Sequence, residues 1–324
     1  MAAAPRMTAQ EWVLLLFLSI LWGGSFFLSA IAIKEVEPFT LAFARMAMGA
    51  LALAAAAFVM DLRFPRDAAS WGGYLIMGMV MSAVPFSLIY YGQTQISGAL
   101  ASILNATTPL FTLLIAHVFT RDEKITPRRL FGVLAGLGGV IFIIGPAALA
   151  ESGARIAAQG AILGAALCYG VAGVYGKRFR DASPVVTACG QLTAGAAFIL
   201  PMAAMFDHPL SRPLPGLVSL ACVVALALFS TALAFIVYFR ILRRAGATNV
   251  TLVTLLVPVS AILLGAMILD ETLAPRHFGG LALIACGLLI IDGRVLDLLT
   301  RRRGADASGL AAPHMLDNPQ NLPS

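Results

Sequence analysis

The ionisable and nucleophilic side chains of this chain do not form a catalytic constellation. Enzyme chemistry needs a nucleophile beside a base, paired acids or a metal cluster. The sequence contains no HExxH, no GxSxG, no nucleotide-binding P-loop and no cluster of His or Asp. Its four cysteines lie in apolar stretches without ligand spacing, which indicates packing residues rather than disulfides or a metal site. The sequence therefore predicts no enzymatic activity, no cofactor, no metal ion and no direct use of ATP.

Polar and aromatic side chains instead recur at helical spacing, a pattern that suits the binding of an organic solute. Stripes of this kind run along residues 19–29, 102–112 and 251–258, because positions three, four and seven apart share a helix face. The candidate substrate-binding residues are Trp22, Ser25, Phe26, Tyr90, Gln93, Asn105, Tyr169, Tyr175, Tyr238 and Thr254. Helix packing is the alternative, since Ser and Thr let membrane helices approach closely or bond their own backbone.

Five further residues are candidates for a gating or structural role. Arg45 is the one charge deep in an apolar segment, where insertion costs at least about 2.5–3.5 kcal/mol. It therefore needs an aqueous cavity, an anionic substrate or a structural partner. Glu123 and Glu271 lie at segment ends, where they would cap helices, pair with basic residues or latch a gate. Pro109 and Pro258 each remove a backbone hydrogen bond, which predicts a static kink or a gating hinge.

Long apolar segments carry these side chains, and they predict an all-α integral membrane protein. Of the 324 residues, 60% are hydrophobic and 12% are charged, whereas soluble domains have about 25% charged residues. A helix needs about 20 apolar residues to cross the hydrocarbon core. The segments that qualify are 11–33, 38–60, 71–92, 97–119, 127–146, 156–176, 184–206, 214–239, 246–269 and 275–293. We expect ten transmembrane helices, a cytoplasmic segment at 1–10 and a disordered cytoplasmic tail at 294–324.

The basic residues between the segments predict that both termini lie in the cytoplasm. Lys and Arg concentrate in the cytoplasmic loops of membrane proteins. Of the 22 Lys and Arg residues, 17 fall on the side of the N-terminus, four fall on the opposite side, and Arg45 lies within a segment. A missed helix would scramble this alternation. The sequence therefore predicts a protein of the cytoplasmic (inner) membrane with an even number of spans.

The two halves of the chain, 11–146 and 147–293, resemble each other. The aligned pairs are Pro38 and Pro184, Gly49 and Gly195, Pro109 and Pro258, and Glu123 and Glu271. Each half has five segments, an odd number, so the second half must enter the membrane from the opposite side. The pattern predicts an inverted-topology repeat, which in secondary transporters places the substrate site at the repeat interface. A duplication that merely enlarged a helical bundle is the alternative.

Several of these features together resemble a known family. They are the WGGSFF stretch at 22–27, the single Arg45 after Pro38, and the pattern of proline, apolar run and acidic residue in the fourth and ninth segments. Over about residues 11–293 the chain resembles the EamA-type members of the drug/metabolite transporter (DMT) superfamily. The resemblance implies a ten-helix inverted repeat, alternating access, and a cavity lined mainly by the first, third, fourth, sixth, eighth and ninth helices. Known substrates of the superfamily include amino acids, sugars, nucleotide sugars, phosphorylated metabolites and drugs. Gln191 stands where the first half has Arg45, so the charge is not repeated.

These features favour a secondary transporter of a small organic metabolite or amphipathic compound, acting as an exporter or exchanger. The alternatives are a channel-like or structural membrane protein and, last, an intramembrane enzyme. The expected partners are a small-molecule substrate and membrane lipid, with the chain acting as a monomer or a homodimer. Nucleic acid is not expected despite the net charge of +6, because the basic residues lie in short gaps between apolar segments.

Overall fold

A computed structural model describes residues 7–96, 98–144, 155–268 and 275–292, and every regular element within these ranges is helical. The helices are α1 (Ala9–Ala32), α2 (Pro38–Val59), α3 (Ala68–Gln93), α4 (Gly98–Asn105), α5 (Thr108–Phe119), α6 (Pro127–Ile144), α7 (Arg155–Tyr175), α8 (Pro184–Asp207), α9 (Leu217–Ala245), α10 (Ala247–Thr251), α11 (Val253–Ile268) and α12 (Pro275–Asp292). Within the described ranges, six helices are long and apolar enough to cross a membrane: α1, α2, α3, α7 with its 3-10 turn to Phe179, α8 and α9. The all-α prediction is confirmed for this part of the chain.

Local sequence signals set the ends of several helices. Pro38 and Pro184 begin α2 and α8, where a missing N–H costs nothing and φ is already suitable. The Glu11 carboxylate accepts the backbone N–H of Thr8 at 3.1 Å and closes the first turn of α1. Gly246 ends α9 with φ of 86°, a conformation that glycine adopts readily. The chain can therefore turn there and begin α10 at once.

Two of the predicted segments are broken rather than continuous helices. Segment 97–119 holds α4 and α5, which are separated by a turn at 106–107. Segment 246–269 holds α10 and α11, which are separated at Leu252. Pro109 lies in the first turn of α5, whereas Pro258 lies inside α11. The second break therefore precedes its proline and is not a kink centred on it.

Helices α3 and α9 carry matching interruptions in the two halves. Each contains a π-helical stretch, Met79–Ala83 in α3 and Leu228–Leu233 in α9, that begins at the twelfth residue of its helix. Such stretches inside α-helices occur frequently at functional sites. Their equal positions agree with a chain built from two related halves.

The two halves contact each other through α2 with α9 and, equivalently, through α8 with α3. A Cβ on Gly49 of α2 would lie 3.2 Å from Thr231 Cγ2 and 3.3 Å from the Ala227 carbonyl oxygen. At the aligned position in α8, a Cβ on Gly195 would lie 3.1 Å from the Gly78 carbonyl oxygen. Each of these glycines therefore makes room for a helix of the other half, beside its π-helical stretch.

Further contacts join the halves at the turn after α1. The Glu35 carboxylate accepts the backbone N–H of Gly216 at 2.6 Å, just before α9. At the start of α2, Thr40 donates its backbone N–H to the Asp207 carboxylate at 2.6 Å. These bonds satisfy backbone donors that a helix N-terminus leaves free. They fix the α1–α2 turn against the connection between α8 and α9.

Candidate substrate cavity

A cavity lies between the two halves and is lined by apolar, aromatic and hydroxyl side chains. The space between its wall atoms, including its open part, is about 660 Å³. The wall consists of Trp22, Ser25, Phe26 and Ser29 of α1; Arg45 of α2; Met81, Phe86, Ile89 and Tyr90 of α3; Asn105 of α4; Thr108 of α5; Tyr169 of α7; Phe235 and Tyr238 of α9; Thr251 of α10; and Val253, Thr254 and Val257 of α11. Among these wall residues there is no Asp or Glu, so the guanidinium of Arg45 is their one formal charge.

Both broken helices open onto this cavity. The Thr108 hydroxyl donates to the Asn105 carbonyl at 2.6 Å across the break between α4 and α5. The Thr254 hydroxyl donates to the Thr251 carbonyl at 2.8 Å across the break between α10 and α11. In each case a hydroxyl satisfies a carbonyl that the end of a helix leaves without an intrahelical partner. Polar backbone therefore comes next to the cavity from both halves, as it does at the discontinuous helices of secondary transporters.

Arg45 crosses from α2 to the other half, where neutral groups hold its guanidinium. Nε donates to Thr231 Oγ1 and Nη2 donates to the Ser230 carbonyl at 2.9 Å, both in the π-helical stretch of α9. Nη1 donates to the Tyr90 hydroxyl at 2.9 Å, and Cζ lies 4.0 Å from the centroid of the Phe86 ring. Arg45 is only 4% exposed. Within the described part of the chain, no carboxylate forms a salt bridge with it.

Gln191 repeats this arrangement in the other half without the charge. It aligns with Arg45, and its Oε1 accepts a hydrogen bond from the Ser82 hydroxyl at 3.1 Å, in the π-helical stretch of α3. Ser82 and Thr231 are each the fifteenth residue of their helix. Gln191 is fully buried and does not belong to the cavity wall. The two halves are thus joined by two equivalent contacts, of which one brings a charge to the cavity.

Two buried polar atoms of the wall have no hydrogen-bond partner. They are the hydroxyl oxygen of Tyr238 and Oδ1 of Asn105. The Tyr238 ring lies 5.8 Å from the Trp22 ring and 6.4 Å from the Phe235 ring, measured between centroids. A buried polar group without a partner costs about 1–3 kcal/mol. Both atoms therefore belong to wall residues and need a partner that this conformation does not provide.

Glu123 joins three parts of the chain next to one end of the cavity. Its carboxylate pairs with Lys177 Nζ at 2.8 Å and accepts the backbone N–H groups of Ala247 and Thr248 at 2.9 and 2.8 Å. The Thr248 hydroxyl donates to the same carboxylate. One turn further on, the hydroxyl of Thr251 in the cavity wall donates to the Thr248 carbonyl at 3.1 Å. The Glu123 cluster, formed by Glu123, Lys177 and Thr248, therefore lies directly behind the wall.

The contacts of Glu123 favour its charged form. Burial acts to raise the pKa of Glu123, but hydrogen bonds from Lys177 and Thr248 outweigh it, and the pKa lies below its ordinary value. Of the roles expected for Glu123, the structure contains both a basic partner and a helix cap, although the capped helix is α10 of the other half. Glu271, its expected counterpart, lies outside the described residues.

Eight of the ten candidate residues lie in the cavity wall, whereas Gln93 and Tyr175 do not. Gln93 bridges α3 to α1, since its Oε1 accepts the Ser29 hydroxyl at 2.8 Å and its Nε2 donates to the Phe26 carbonyl at 3.1 Å. The Tyr175 ring packs against Phe179 with 6.1 Å between centroids. Gln93 therefore holds α3 against α1, whereas this contact of Tyr175 lies within α7 and the 3-10 turn that extends it.

The polar stripes of the sequence do not include much of the apolar wall. The apolar wall residues that are not among the candidates are Met81, Phe86, Ile89, Phe235, Val253 and Val257. In segments that are apolar throughout, such residues do not stand out. Phe86 precedes Tyr90 by four positions and Phe235 precedes Tyr238 by three, so each phenylalanine shares a helix face with a candidate tyrosine. This spacing is the signal that could have identified both as wall residues.

The halves that form this cavity each match one known protein family. The sequence matches the EamA-like transporter family over residues 10–145 and again over 157–292. The chain belongs to this family. The double match confirms the two-repeat organisation of an EamA membrane protein, and the resemblance noted in the sequence is confirmed with it.

Relatives of this EamA-family chain include proteins that are named as transporters or exporters. "Uncharacterized transporter YoaV" of Bacillus subtilis (strain 168) is 25% identical over 84% of this chain and 93% of that protein. "Uncharacterized inner membrane transporter YedA" of Escherichia coli (strain K12) is 27% identical over 85% of this chain and 88% of that protein. A "Probable terminal-alkyne amino-acid exporter" of Streptantibioticus cattleyicolor is 26% identical over 94% of this chain and 99% of that protein. The family and these names indicate membrane transport and not enzymatic activity.

A solved structure, described only as "Crystal structure of protein", has the same fold. It matches with a TM-score of 0.72 and 19% identity, over 88% of this EamA-family chain and 98% of the solved chain. At this identity the likeness concerns the arrangement of helices alone.

Proposed function

We propose that this EamA-family chain is a secondary transporter that moves a small organic metabolite or amphipathic compound across the cytoplasmic membrane by alternating access, as an exporter or exchanger. The cavity between the two halves carries this proposal, because both broken helices open onto it. Substrate sites of secondary transporters lie at such repeat interfaces. Export is also the activity in the name of the Streptantibioticus relative.

The topology that we propose has ten spans and both termini in the cytoplasm. The broken pairs α4–α5 and α10–α11 each count as one span, and the other eight helices count singly. The 17 basic residues on the side of the N-terminus support this orientation, and five spans in each half return both termini to one side. The second half then runs through the membrane in the opposite sense to the first.

In this topology the Glu123 cluster lies at the cytoplasmic end of the cavity. It ties the loop after α5 to the end of α7 and to the start of α10. Alternating access requires that these elements separate when the cavity opens to the cytoplasm. We therefore propose that the Glu123 cluster is the latch of the closed cytoplasmic side.

A counterflow screen of the purified protein in liposomes against a panel of metabolites tests the transport proposal. Ser25→Trp should abolish the uptake that the parent protein shows, because the indole would occupy the cavity beside Trp22. Phe27→Trp is the matched control, because Phe27 lies on the same helix and is 40% exposed. Full transport by Ser25→Trp would refute the site. Flux without saturation or trans-stimulation would refute the carrier mechanism and indicate a channel.

A further inference from the structure

The guanidinium of Arg45 is a buried charge that the described protein does not neutralise. Its partners are the hydroxyls of Thr231 and Tyr90, the Ser230 carbonyl and the ring of Phe86, all of them uncharged. A guanidinium has five N–H donors, and these hydrogen bonds use three of them. A buried cation without a counter-ion is costly, and in membrane segments such residues commonly mark a substrate pathway.

The rest of the cavity wall offers no negative charge to balance this cation. Its polar members are hydroxyls, one carboxamide and the indole of Trp22, and no carboxylate is among the described wall residues. The equivalent position in the other half holds the neutral Gln191, which does not reach the wall. The described wall therefore carries a charge of +1, provided by one side of the repeat interface alone.

We propose that the cavity binds an amphipathic organic anion of charge −1, whose carboxylate pairs with Arg45 and whose apolar body packs against the aromatic side chains of Trp22 and Phe235. A carboxylate matches the fork of donors on a guanidinium. A zwitterion would leave its ammonium without an acidic partner, and a cation would be repelled. The inference rests on the proposed transport function and specifies the substrate class of the same cavity.

The unpaired wall atoms add a second requirement to the ligand. Oδ1 of Asn105 can only accept a hydrogen bond, whereas the Tyr238 hydroxyl can accept or donate one. A ligand whose body carries a hydroxyl or an amide N–H would satisfy both atoms. Such a compound should therefore bind more tightly than one with a purely hydrocarbon body.

Binding to the full chain in lipid nanodiscs, measured by isothermal titration, tests the charge requirement. The probes 3-phenylpropanoate, phenylalanine and phenethylamine share one aromatic body and carry net charges of −1, 0 and +1. We expect 3-phenylpropanoate to bind at least about tenfold more tightly than the other two. Hexanoate and 4-hydroxyphenylpropanoate vary the body at constant charge, and the hydroxylated anion should bind most tightly.

Three variants distinguish an effect of charge on binding from a failure of the protein to fold. Arg45→Gln should weaken the binding of 3-phenylpropanoate at least about tenfold. Arg212→Gln removes an arginine that is exposed and paired with Glu37 at 2.7 Å, and it should leave binding unchanged. Asn105→Asp keeps every hydrogen bond of Arg45 and adds a negative charge to the wall, so it should weaken binding of the anion even where Arg45→Gln fails to fold.

The inference is overturned if phenylalanine or phenethylamine binds as tightly as 3-phenylpropanoate, if no carboxylate of the series binds, or if Asn105→Asp leaves anion affinity unchanged. Counterflow in proteoliposomes distinguishes a wrong substrate class from a wrong proposal of transport. Counterflow of neutral, zwitterionic or cationic solutes without binding of the anions would leave a transporter with another substrate class. The absence of counterflow for the whole panel would refute transport itself.

Discussion

Replacement of Glu123 by Gln tests whether the Glu123 cluster keeps one end of the cavity closed. The carboxylate is 1% exposed and binds two backbone N–H groups of α10 as well as Lys177. Gln has nearly the same shape, but it has one acceptor oxygen and no charge. Its amide NH2 would face one of the two backbone N–H donors, so the closed arrangement should be specifically weakened.

The size of the effect follows from the bonds that remain. A hydrogen bond to a charged group contributes about 1.5–3 kcal/mol, and the substituted side chain would lose one such bond and weaken the other. Lys177 would not be left alone, because Asp122 stays 2.7 Å from its Nζ. We expect Glu123→Gln to destabilise the closed arrangement by about 2–4 kcal/mol, a shift of about 30-fold to 900-fold toward opening.

A cysteine in the cavity wall reports this opening. Thr251→Cys places a thiol of similar size one turn from Thr248, and a membrane-impermeant maleimide reaches it from the cytoplasmic side of inside-out vesicles only when that side opens. The parent protein without Thr251→Cys gives the background from the native cysteines. Glu123→Gln should accelerate labelling of the reporter.

The neighbouring carboxylate provides the matched control. Asp122 pairs with the same Lys177, but its side chain is 42% exposed. An exposed ion pair contributes about 0–1 kcal/mol, so Asp122→Asn should change the labelling rate by less than about fivefold. Equal labelling rates for Glu123→Gln and Asp122→Asn would refute the latch, whatever the thermal stability of the two variants.

Three further predictions concern pH, packing and the unpaired hydroxyl. Because the pKa of Glu123 is lowered, its stabilising effect is present above the ordinary value of 4.5 and is lost as pH falls through the lowered pKa. Maleimide reacts with the thiolate, so the labelling rate of Thr251→Cys is divided at each pH by the rate of a free thiol. This ratio should be flat around neutral pH and rise in acid, and a change of the ratio around neutral pH would contradict the prediction. Gly78→Ala should lower the free energy of unfolding by about 1–3 kcal/mol, because its Cβ would lie 2.3 Å from the Gln191 carbonyl oxygen. Gly72→Ala should leave the free energy of unfolding unchanged, because nothing lies within 4 Å of the added Cβ. Equal melting temperatures for Gly78→Ala and Gly72→Ala would refute the close packing at Gly78. Tyr238→Phe should raise the free energy of unfolding by up to about 1–3 kcal/mol, because it removes a buried hydroxyl that has no partner, while weakening substrate affinity; a loss of stability would show that the hydroxyl is already bonded.

The sequence predicted the helices well because lipid leaves the backbone few choices. An apolar segment in a membrane must satisfy its own backbone hydrogen bonds, so its length and position follow from hydropathy. The break at Leu252 was not predictable in this way. No glycine or proline marks it, and the nearest proline, Pro258, lies well inside α11. The short helix α10 before the break begins on the carboxylate of Glu123, and that contact exists only in the folded bundle.

The π-helical stretches of α3 and α9 had no signature of their own in the sequence. Their positions became meaningful through the contacts that they make, Ser82 with Gln191 and Thr231 with Arg45. The internal repeat pairs Gln191 with Arg45 but indicates no partner for either. Tertiary hydrogen bonds to residues more than 100 positions away cannot be deduced from local periodicity.

The candidate residues include eight of the eighteen wall residues, because a polar atom in lipid needs a partner or water and most candidates carry one. The same rule could not distinguish a wall residue from one that joins two helices. Gln93 has the side chain of a binding residue, but both ends of its amide bond to α1. Phe235 has no polar atom to distinguish it from its apolar neighbours, although it lies in the wall. Residue type shows that a partner is needed, and only the folded bundle shows which partner is used.

The one formal charge among the described wall residues, that of Arg45, also has an electrical consequence. A unit charge that crosses a potential of 100 mV changes in energy by about 2.3 kcal/mol. If reorientation carries Arg45 through part of the membrane field, the empty transporter moves positive charge, whereas the complex with a monovalent anion moves none. The membrane voltage would then act on the return of the empty transporter and leave the substrate-bearing step almost untouched. Gln191, the counterpart of Arg45 in the other half, is neutral and adds no charge to either step.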